Sequence, residues 1–155
     1  MGQKLILPLQ PIMDHNIEFN FIDVEIPDFN SEFFCLWLEH CAQSYQKSID
    51  NLCYVFCSDE YLLNMNREHL DHDYYTDIIT FNYNEEHSLA GDLFISIDRI
   101  EDNAKQLGVS MFDELCRVMV HGLLHLVGFD DKTDQAQLEM TKMEDRCLEV
   151  RNSFT

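Results

Sequence analysis

Basic residues are scarce in this chain: ten Lys and Arg stand against 29 Asp and Glu, which gives 155 residues a formal net charge of −19. A surface of this sign repels nucleic-acid phosphates at long range, so the sequence excludes a conventional basic nucleic-acid binder. Any role on RNA therefore requires a local positive spot, such as a bound metal ion, or a basic partner protein. A solvated acidic surface that binds no partner is the alternative interpretation.

Long apolar runs and paired cysteines are lacking as well, and no leader is expected. No run approaches the ~20 residues of a membrane-spanning helix, and residues 1–8 form too short an apolar stretch for a signal peptide and have no small-residue cleavage site. The six cysteines form no C-x-x-C pair, which excludes a zinc knuckle or a thioredoxin motif, so we interpret them as small reduced hydrophobic residues. We expect a cytoplasmic protein.

The hydrophobic pattern predicts four strands and five helices in one domain over residues 1–155. The predicted strands are 17–24, 52–57, 78–81 and 93–97, and residues 82–90 are expected to form a loop. Helices are expected to begin near residues 31, 58, 98, 110 and 134, the first of them running to about residue 47. This order predicts an α+β fold with a small four-stranded mixed sheet, packed with about five helices around a central metal-binding helix.

The most informative stretch is the predicted fourth helix, which opens at Ser110 with a capping-box-like pair and ends at Gly128. From residue 118 to residue 128 its only polar side chains are His121 and His125. Because they are four residues apart, they lie on one helix face, about 6 Å apart along the axis. Two core histidines that each bond a carbonyl group are one interpretation of this pair.

The turn after Gly128 favours a different interpretation. It can bring Asp130 or Asp131 back towards His121 and His125, so that a carboxylate oxygen joins two imidazole nitrogens. Three protein ligands and an open fourth position are typical of a catalytic metal centre rather than a closed structural one. The sequence therefore predicts a metal site, with either aspartate as its third ligand.

The same stretch carries a family resemblance. Residues 121–131, HGLLHLVGFDD, resemble the H-G-x-L-H-L-x-G-Y-D-H signature of the YbeY family. Three further stretches resemble the family's L-N-R-E, T-D-V-L-S-F and G-D-I-V-I motifs in the same order, namely MNRE at 65–68, TDIITF at 76–81 and GDLFI at 91–95. The resemblance covers roughly residues 50–150.

The resemblance implies a metal-dependent, single-strand-specific endoribonuclease that takes part in the maturation of small-subunit ribosomal RNA and in ribosome biogenesis. It also implies a cytoplasmic protein with one zinc ion per chain and a compact α+β fold. The partners expected from it are single-stranded or ribosomal RNA, the small ribosomal subunit and its basic proteins, and neither DNA nor a membrane.

Two departures from the family pattern affect the expected site. The third histidine of the signature falls on Asp131, which keeps a metal ligand but also suits divalent metals other than zinc; Asp130 is the alternative ligand. The arginine thought to serve family catalysis falls on Leu70, and Arg67 lies about one helical turn earlier. We therefore predict His121, His125 and Asp131 as metal ligands and Arg67 as the catalytic residue, with an ordinary surface arginine as the alternative.

Three other functions were weighed against this one. A zinc peptidase places two histidine ligands on a helix through H-E-x-x-H, but Gly122 stands where the general-base Glu is needed. A two-histidine, one-carboxylate iron oxygenase has compatible ligands, yet nothing in the sequence suggests a pocket for a co-substrate. The third is a non-catalytic ribosome-assembly factor that keeps the metal for stability.

Overall fold

A computed structural model describes residues 15–71 and 74–155. In chain order, the strands and helices are β1 (Ile17–Phe21), α1 (Ser31–Gln43), β2 (Ser48–Cys57), α2 (Asp59–Leu70), β3 (Ile78–Asn82), β4 (Ser88–Ser96), α3 (Ile97–Leu107), α4 (Met111–Val127) and α5 (Asp134–Glu149), followed by a 3-10 turn (Arg151–Phe154). Residues 1–8, where no signal peptide is expected, lie outside the described residues. Among the described helices, none has the length and apolarity needed to cross a bilayer.

The four strands form one mixed sheet in the order β1-β2-β4-β3. The pairs β1–β2 and β2–β4 are parallel, whereas β3 runs antiparallel to β4 at one edge. The predicted α+β fold with a four-stranded mixed sheet is therefore confirmed. Several strand and helix boundaries differ from the prediction.

Helix α4 lies at the centre of the structure and contacts β3, β4, α1, α3 and α5. Its apolar positions Met119, Val120 and Leu123 are completely buried, which accounts for the near-continuous hydrophobic run in its sequence. Two polar contacts reach the backbone of α4 from the sheet side: the Tyr54 hydroxyl of β2 donates to the Met119 carbonyl at 2.9 Å, and the Asn84 side chain after β3 donates to the Leu126 carbonyl at 2.6 Å. The predicted metal-binding helix is thus held on several sides by the rest of the domain.

The helix starts show which capping predictions hold. The Ser110 hydroxyl accepts a hydrogen bond from the Asp113 amide at 3.0 Å, as the capping box predicts. Helices α3 and α5 begin at Ile97 and Asp134, close to the predicted starts, but their N-caps are the hydroxyl residues Ser96 and Thr133 rather than aspartates. The Asp98 carboxylate instead accepts from the Asp59 amide at 2.9 Å, at the first turn of α2.

Two element boundaries were also predicted wrongly. Helix α1 ends at Gln43 rather than near residue 47, because Gln46 adopts a left-handed φ of 56° and the Lys47 amide turns back to the Ala42 carbonyl. Strand β4 begins at Ser88, inside the predicted 82–90 loop, because residues 88–96 pair along β2. Sheet pairing thus overrides the polar local sequence.

Helix α4 approaches the sheet closely at Gly91 of β4. A Cβ atom built there would lie 2.6 Å from the Phe81 carbonyl oxygen and 3.2 Å from the Leu126 Cδ1 atom of α4. The oxygen belongs to the backbone of the neighbouring strand, so it cannot move aside as a flexible side chain would. Glycine at this position therefore lets β3, β4 and the histidine end of α4 pack together.

We expect Gly91→Ala to lower the free energy of unfolding by about 1–3 kcal/mol, because the added methyl group overpacks against backbone. Urea denaturation followed by far-UV circular dichroism measures the change. Ser88→Ala on the same strand is the control and should stay within about 0.5 kcal/mol of the wild type. Equal midpoints for Gly91→Ala and wild type would contradict the close packing.

Candidate metal centre

The last turns of α4 bring the two histidines together at one end of the helix. The His121 and His125 Nε2 atoms lie 3.0 Å apart, and the Asp131 Oδ2 atom lies 3.4 Å from the first and 3.7 Å from the second. Gly128, with a φ of 127°, ends the helix and allows the reversal that returns Asp131. Within residues 15–71 and 74–155, this is the one group of three metal-ligating side chains whose ligand atoms converge.

Hydrogen bonds at the opposite ring nitrogens determine which atoms are available to a metal. The His121 Nδ1 atom lies 2.6 Å from the Glu144 Oε2 atom, and the His125 Nδ1 atom lies 2.9 Å from the Phe129 carbonyl oxygen. Both partners are acceptors, so each Nδ1 carries the proton and, in a neutral ring, leaves the Nε2 lone pair unprotonated. The lone pairs of both imidazoles then face one another and the Asp131 carboxylate.

Such an arrangement is repulsive unless a proton or a cation lies between the three atoms. A tetrahedral zinc ion with bonds of about 2.0–2.1 Å separates neighbouring ligand atoms by about 3.3 Å, close to the observed separations of 3.0, 3.4 and 3.7 Å. Two imidazoles and one carboxylate are also an ordinary donor set for zinc. The residues present therefore fit a divalent ion in both geometry and chemistry.

The charges around His121 favour a cation at this position. Burial lowers the pKa of His121, but the hydrogen bond and charge of Glu144, together with Asp131 and Asp77, outweigh burial and raise its pKa above the usual value. Burial and the Glu144 charge in turn raise the pKa of Asp77. A divalent metal ion would offset the negative charge of these carboxylates as a proton does, but with twice the positive charge.

Glu144 and Arg117 were missed by the sequence analysis. Glu144 lies on α5, its side chain is only 8% exposed, and Arg117 of α4 donates to it at 2.7 Å while also donating to Asp145 at 2.7 Å. A buried carboxylate that orients a ligating histidine through its second nitrogen is a common arrangement in zinc proteins. One signal was available: Glu144 lies on the same face of α5 as Met140 and Cys147, where a charge is unexpected.

The centre opens into a cleft of about 640 Å³ along the edge strand β3. One wall comes from the end of α2 and the segment that follows it, and the opposite wall from the end of α4 and its turn. The lining residues are Asn66, Leu70, Tyr74, Thr76, Asp77, Ile78, Ile79, Thr80, Asn82, His121, His125, Leu126 and Asp131. No Lys or Arg is among these lining residues.

The other predicted site residues are placed differently. Asp130 is exposed, accepts a hydrogen bond from the Lys132 amide at 3.2 Å, and is not part of the convergent group. Arg67 is exposed on α2 and does not line the cleft, whereas Leu70 does. The ligand roles of His121, His125 and Asp131 and the catalytic role of Arg67 stay predictions.

Comparison with known proteins assigns the family. The family model for endoribonuclease YbeY matches residues 17–152. The chain belongs to the YbeY family. Two relatives are named endoribonuclease YbeY. The protein of Cytophaga hutchinsonii is 53% identical, and the match covers 74% of this chain and 81% of the relative. The protein of Bacteroides thetaiotaomicron is 46% identical, and the match covers 83% of this chain and 93% of the relative.

The solution structure of a Thermotoga maritima protein has the same fold as this YbeY-family chain. The two superpose with a TM-score of 0.63 and cover 87% of this chain and 88% of the other, at 23% sequence identity. The fold is therefore shared at low sequence identity.

The packing of Gly122 separates this YbeY-family centre from a zinc peptidase. A Cβ atom built at Gly122 would lie 2.6 Å from Leu93 Cδ2 and 2.7 Å from Ile78 Cδ1. Position 122 thus faces the sheet, where a general-base Glu would collide with the Leu93 and Ile78 side chains unless they moved. The peptidase alternative fails on geometry as well as on sequence.

We expect Glu144→Gln to weaken zinc binding by about 10- to 100-fold, because the carboxylate that orients His121 is lost. Isothermal titration with zinc measures the affinity. Asp145→Asn is the matched control, since Asp145 binds the same arginine without touching a histidine; it should retain wild-type affinity. Unchanged zinc affinity in Glu144→Gln would contradict a positioning role.

A second pair of variants identifies the third ligand. Asp131→Ala should weaken zinc binding at least tenfold, because it removes the only carboxylate in the convergent group. Asp130→Ala should bind zinc as the wild type does. The same titration decides between the two aspartates, and a reversed result would make Asp130 the ligand.

Proposed function

We propose that this YbeY-family chain is one metal-dependent endoribonuclease domain, specific for single-stranded RNA, that acts in the maturation of small-subunit ribosomal RNA. The observation that carries the proposal is the convergence of the His121 Nε2, His125 Nε2 and Asp131 Oδ2 atoms in an open cleft. Family membership supplies the reaction class, which is hydrolysis of phosphodiester bonds in RNA.

His121, His125 and Asp131 would hold the ion, for which we propose zinc. When bound, such an ion polarises a phosphate oxygen or lowers the pKa of a water ligand towards ~7. Glu144 holds the His121 ring in the tautomer that leaves Nε2 unprotonated, and the Phe129 carbonyl does the same for His125. Arg67 is proposed to stabilise the charge of the transition state, for which its side chain must reach the cleft from the exposed face of α2.

The proposed partners follow from this reaction and from the charge of the chain. They are single-stranded or ribosomal RNA and the small ribosomal subunit, including its basic proteins, in the cytoplasm. A net charge of −19 attracts basic ribosomal proteins and repels nucleic-acid phosphates. Neither DNA nor a membrane is a proposed partner.

An open centre disfavours the alternative of a purely structural metal. Structural zinc sites are closed by four protein ligands, whereas three ligating side chains converge here on a cleft of about 640 Å³. The side chain of Asp131 is 40% exposed, so an ion held by these three residues would be accessible to solvent or substrate. This geometry suits a reacting group at the metal.

We expect cleavage of an end-labelled single-stranded RNA to stop when the protein is stripped with a chelator and to resume on addition of zinc, because the ion activates the reacting group. Single-turnover gel assays measure the rate. His121→Ala and His125→Ala should not recover with zinc, and duplex RNA and single-stranded DNA should stay intact.

Circular dichroism on the stripped protein separates the two roles of the metal. If the stripped protein stays folded but no longer cleaves RNA, the metal has a catalytic role. Zinc binding and folding without any cleavage of RNA would favour the assembly factor with a structural metal.

A further inference from the structure

An aliphatic and an aromatic side chain line the same cleft as the histidines. They are Leu70 at the end of α2 and Tyr74 in the segment that follows, whose side chain is 55% exposed. The charged residues that line the cleft outside the histidines are Asp77 and Asp131, both acidic. The protein atoms of the cleft therefore offer little attraction for RNA phosphates, but they offer a flat ring and an aliphatic side chain.

The position of Tyr74 is fixed by its neighbours. The Asn66 side chain, 1% exposed, donates from Nδ2 to the Tyr74 carbonyl at 2.8 Å, which ties this segment to α2. The next residue, Tyr75, is held away from the cleft: its hydroxyl donates to Glu60 at 2.7 Å, and the Arg99 guanidinium lies 5.5 Å from its ring. The two tyrosines thus have different surroundings, and Tyr74 is the one at the cleft.

An exposed aromatic ring on a tethered backbone segment, in the same cleft as the candidate metal centre, is suited to an unpaired nucleobase. Every base has a flat face, so stacking on an aromatic side chain binds single strands with little dependence on sequence. A base within a duplex is stacked on its neighbours and is not available to the ring. Stacking therefore provides both affinity without positive charge and selection against duplex RNA.

We propose that Tyr74, with Leu70 beside it, binds the nucleobase adjacent to the scissile phosphate by stacking, and that this contact supplies the single-strand specificity of the cleft. The proposal rests on the proposed function, since it places the RNA strand along β3 between these two side chains and the histidines. In this arrangement the metal centre binds the phosphate, and Tyr74 binds the base.

The test is equilibrium binding of a fluorescein-labelled 12-nucleotide oligoadenylate in its 2′-O-methyl form, measured by fluorescence anisotropy on the zinc-loaded protein; a gel checks that the oligomer stays intact. Tyr74→Ala should raise the Kd roughly 5- to 150-fold, the range that loss of one base–aromatic stack produces. Tyr74→Phe keeps the ring and should stay within about twofold of wild type. Tyr83→Ala, which removes a side chain 58% exposed but outside the cleft lining, should also retain wild-type affinity.

Abasic oligomers distinguish stacking from a structural effect of the substitution. In a series of oligomers that each lack one base, one abasic position should weaken binding to the wild type but not to Tyr74→Ala. The two losses are not additive when the missing base and the missing ring belong to the same contact. The slope of log Kd against log salt should correspond to about two phosphates or fewer and should be unchanged in Tyr74→Ala. Zinc affinity should be equal in both proteins.

The outcomes separate this inference from the proposed function. Equal Kd values for Tyr74→Ala and wild type, or equal sensitivity to every abasic position, would overturn the stacking proposal even if RNA is cleaved normally. Base-dependent binding through Tyr74 without cleavage of the unmodified RNA would support the stacking proposal and count against the nuclease.

Discussion

The functional site depends on two imidazole nitrogens that face each other 3.0 Å apart. Each ring is held in this orientation because it donates its other N–H group to a fixed acceptor, Glu144 for His121 and the Phe129 carbonyl for His125. The acceptors come from a different helix and from the turn after α4. The geometry of the centre therefore depends on the packing of α5 and on that turn as much as on the histidine helix.

The sheet provides the platform on which α4 rests. Gly91 and Gly122 allow the helix and the strands to approach more closely than any side chain would permit. The edge strand β3 then runs beside the histidines and forms the floor of the cleft. A divalent ion held by two neutral histidines and Asp131 would carry one net positive charge together with its ligands. It would be the one positive centre in a cleft whose lining has no Lys or Arg and one further carboxylate, Asp77.

The parts of the structure that could be predicted from the sequence are those set by local signals. Ser110 and Gly128 mark the ends of α4, and helical periodicity places His121 and His125 on one face. Strand β4 was predicted too short because its first residues, 88–91, follow a polar stretch and include Gly91, and they form a strand by pairing with β2. Glu144 was not found because it lies 23 residues from His121 and reaches it only through helix packing.

The hydrogen bond from the Tyr54 hydroxyl to the Met119 carbonyl bears on the alignment of α4 along the sheet. The hydrophobic effect has no directional preference, so burial of apolar side chains alone only weakly defines the position of a helix along its own axis. A shift of α4 by about half of the 5.4 Å helical pitch would carry the Met119 carbonyl out of reach and leave the buried hydroxyl without an acceptor, at a cost of about 1–3 kcal/mol. Tyr54 therefore helps to fix the position of α4 along the sheet. It thereby keeps the two imidazoles beside the edge strand, although its hydrogen bond is to neither of them.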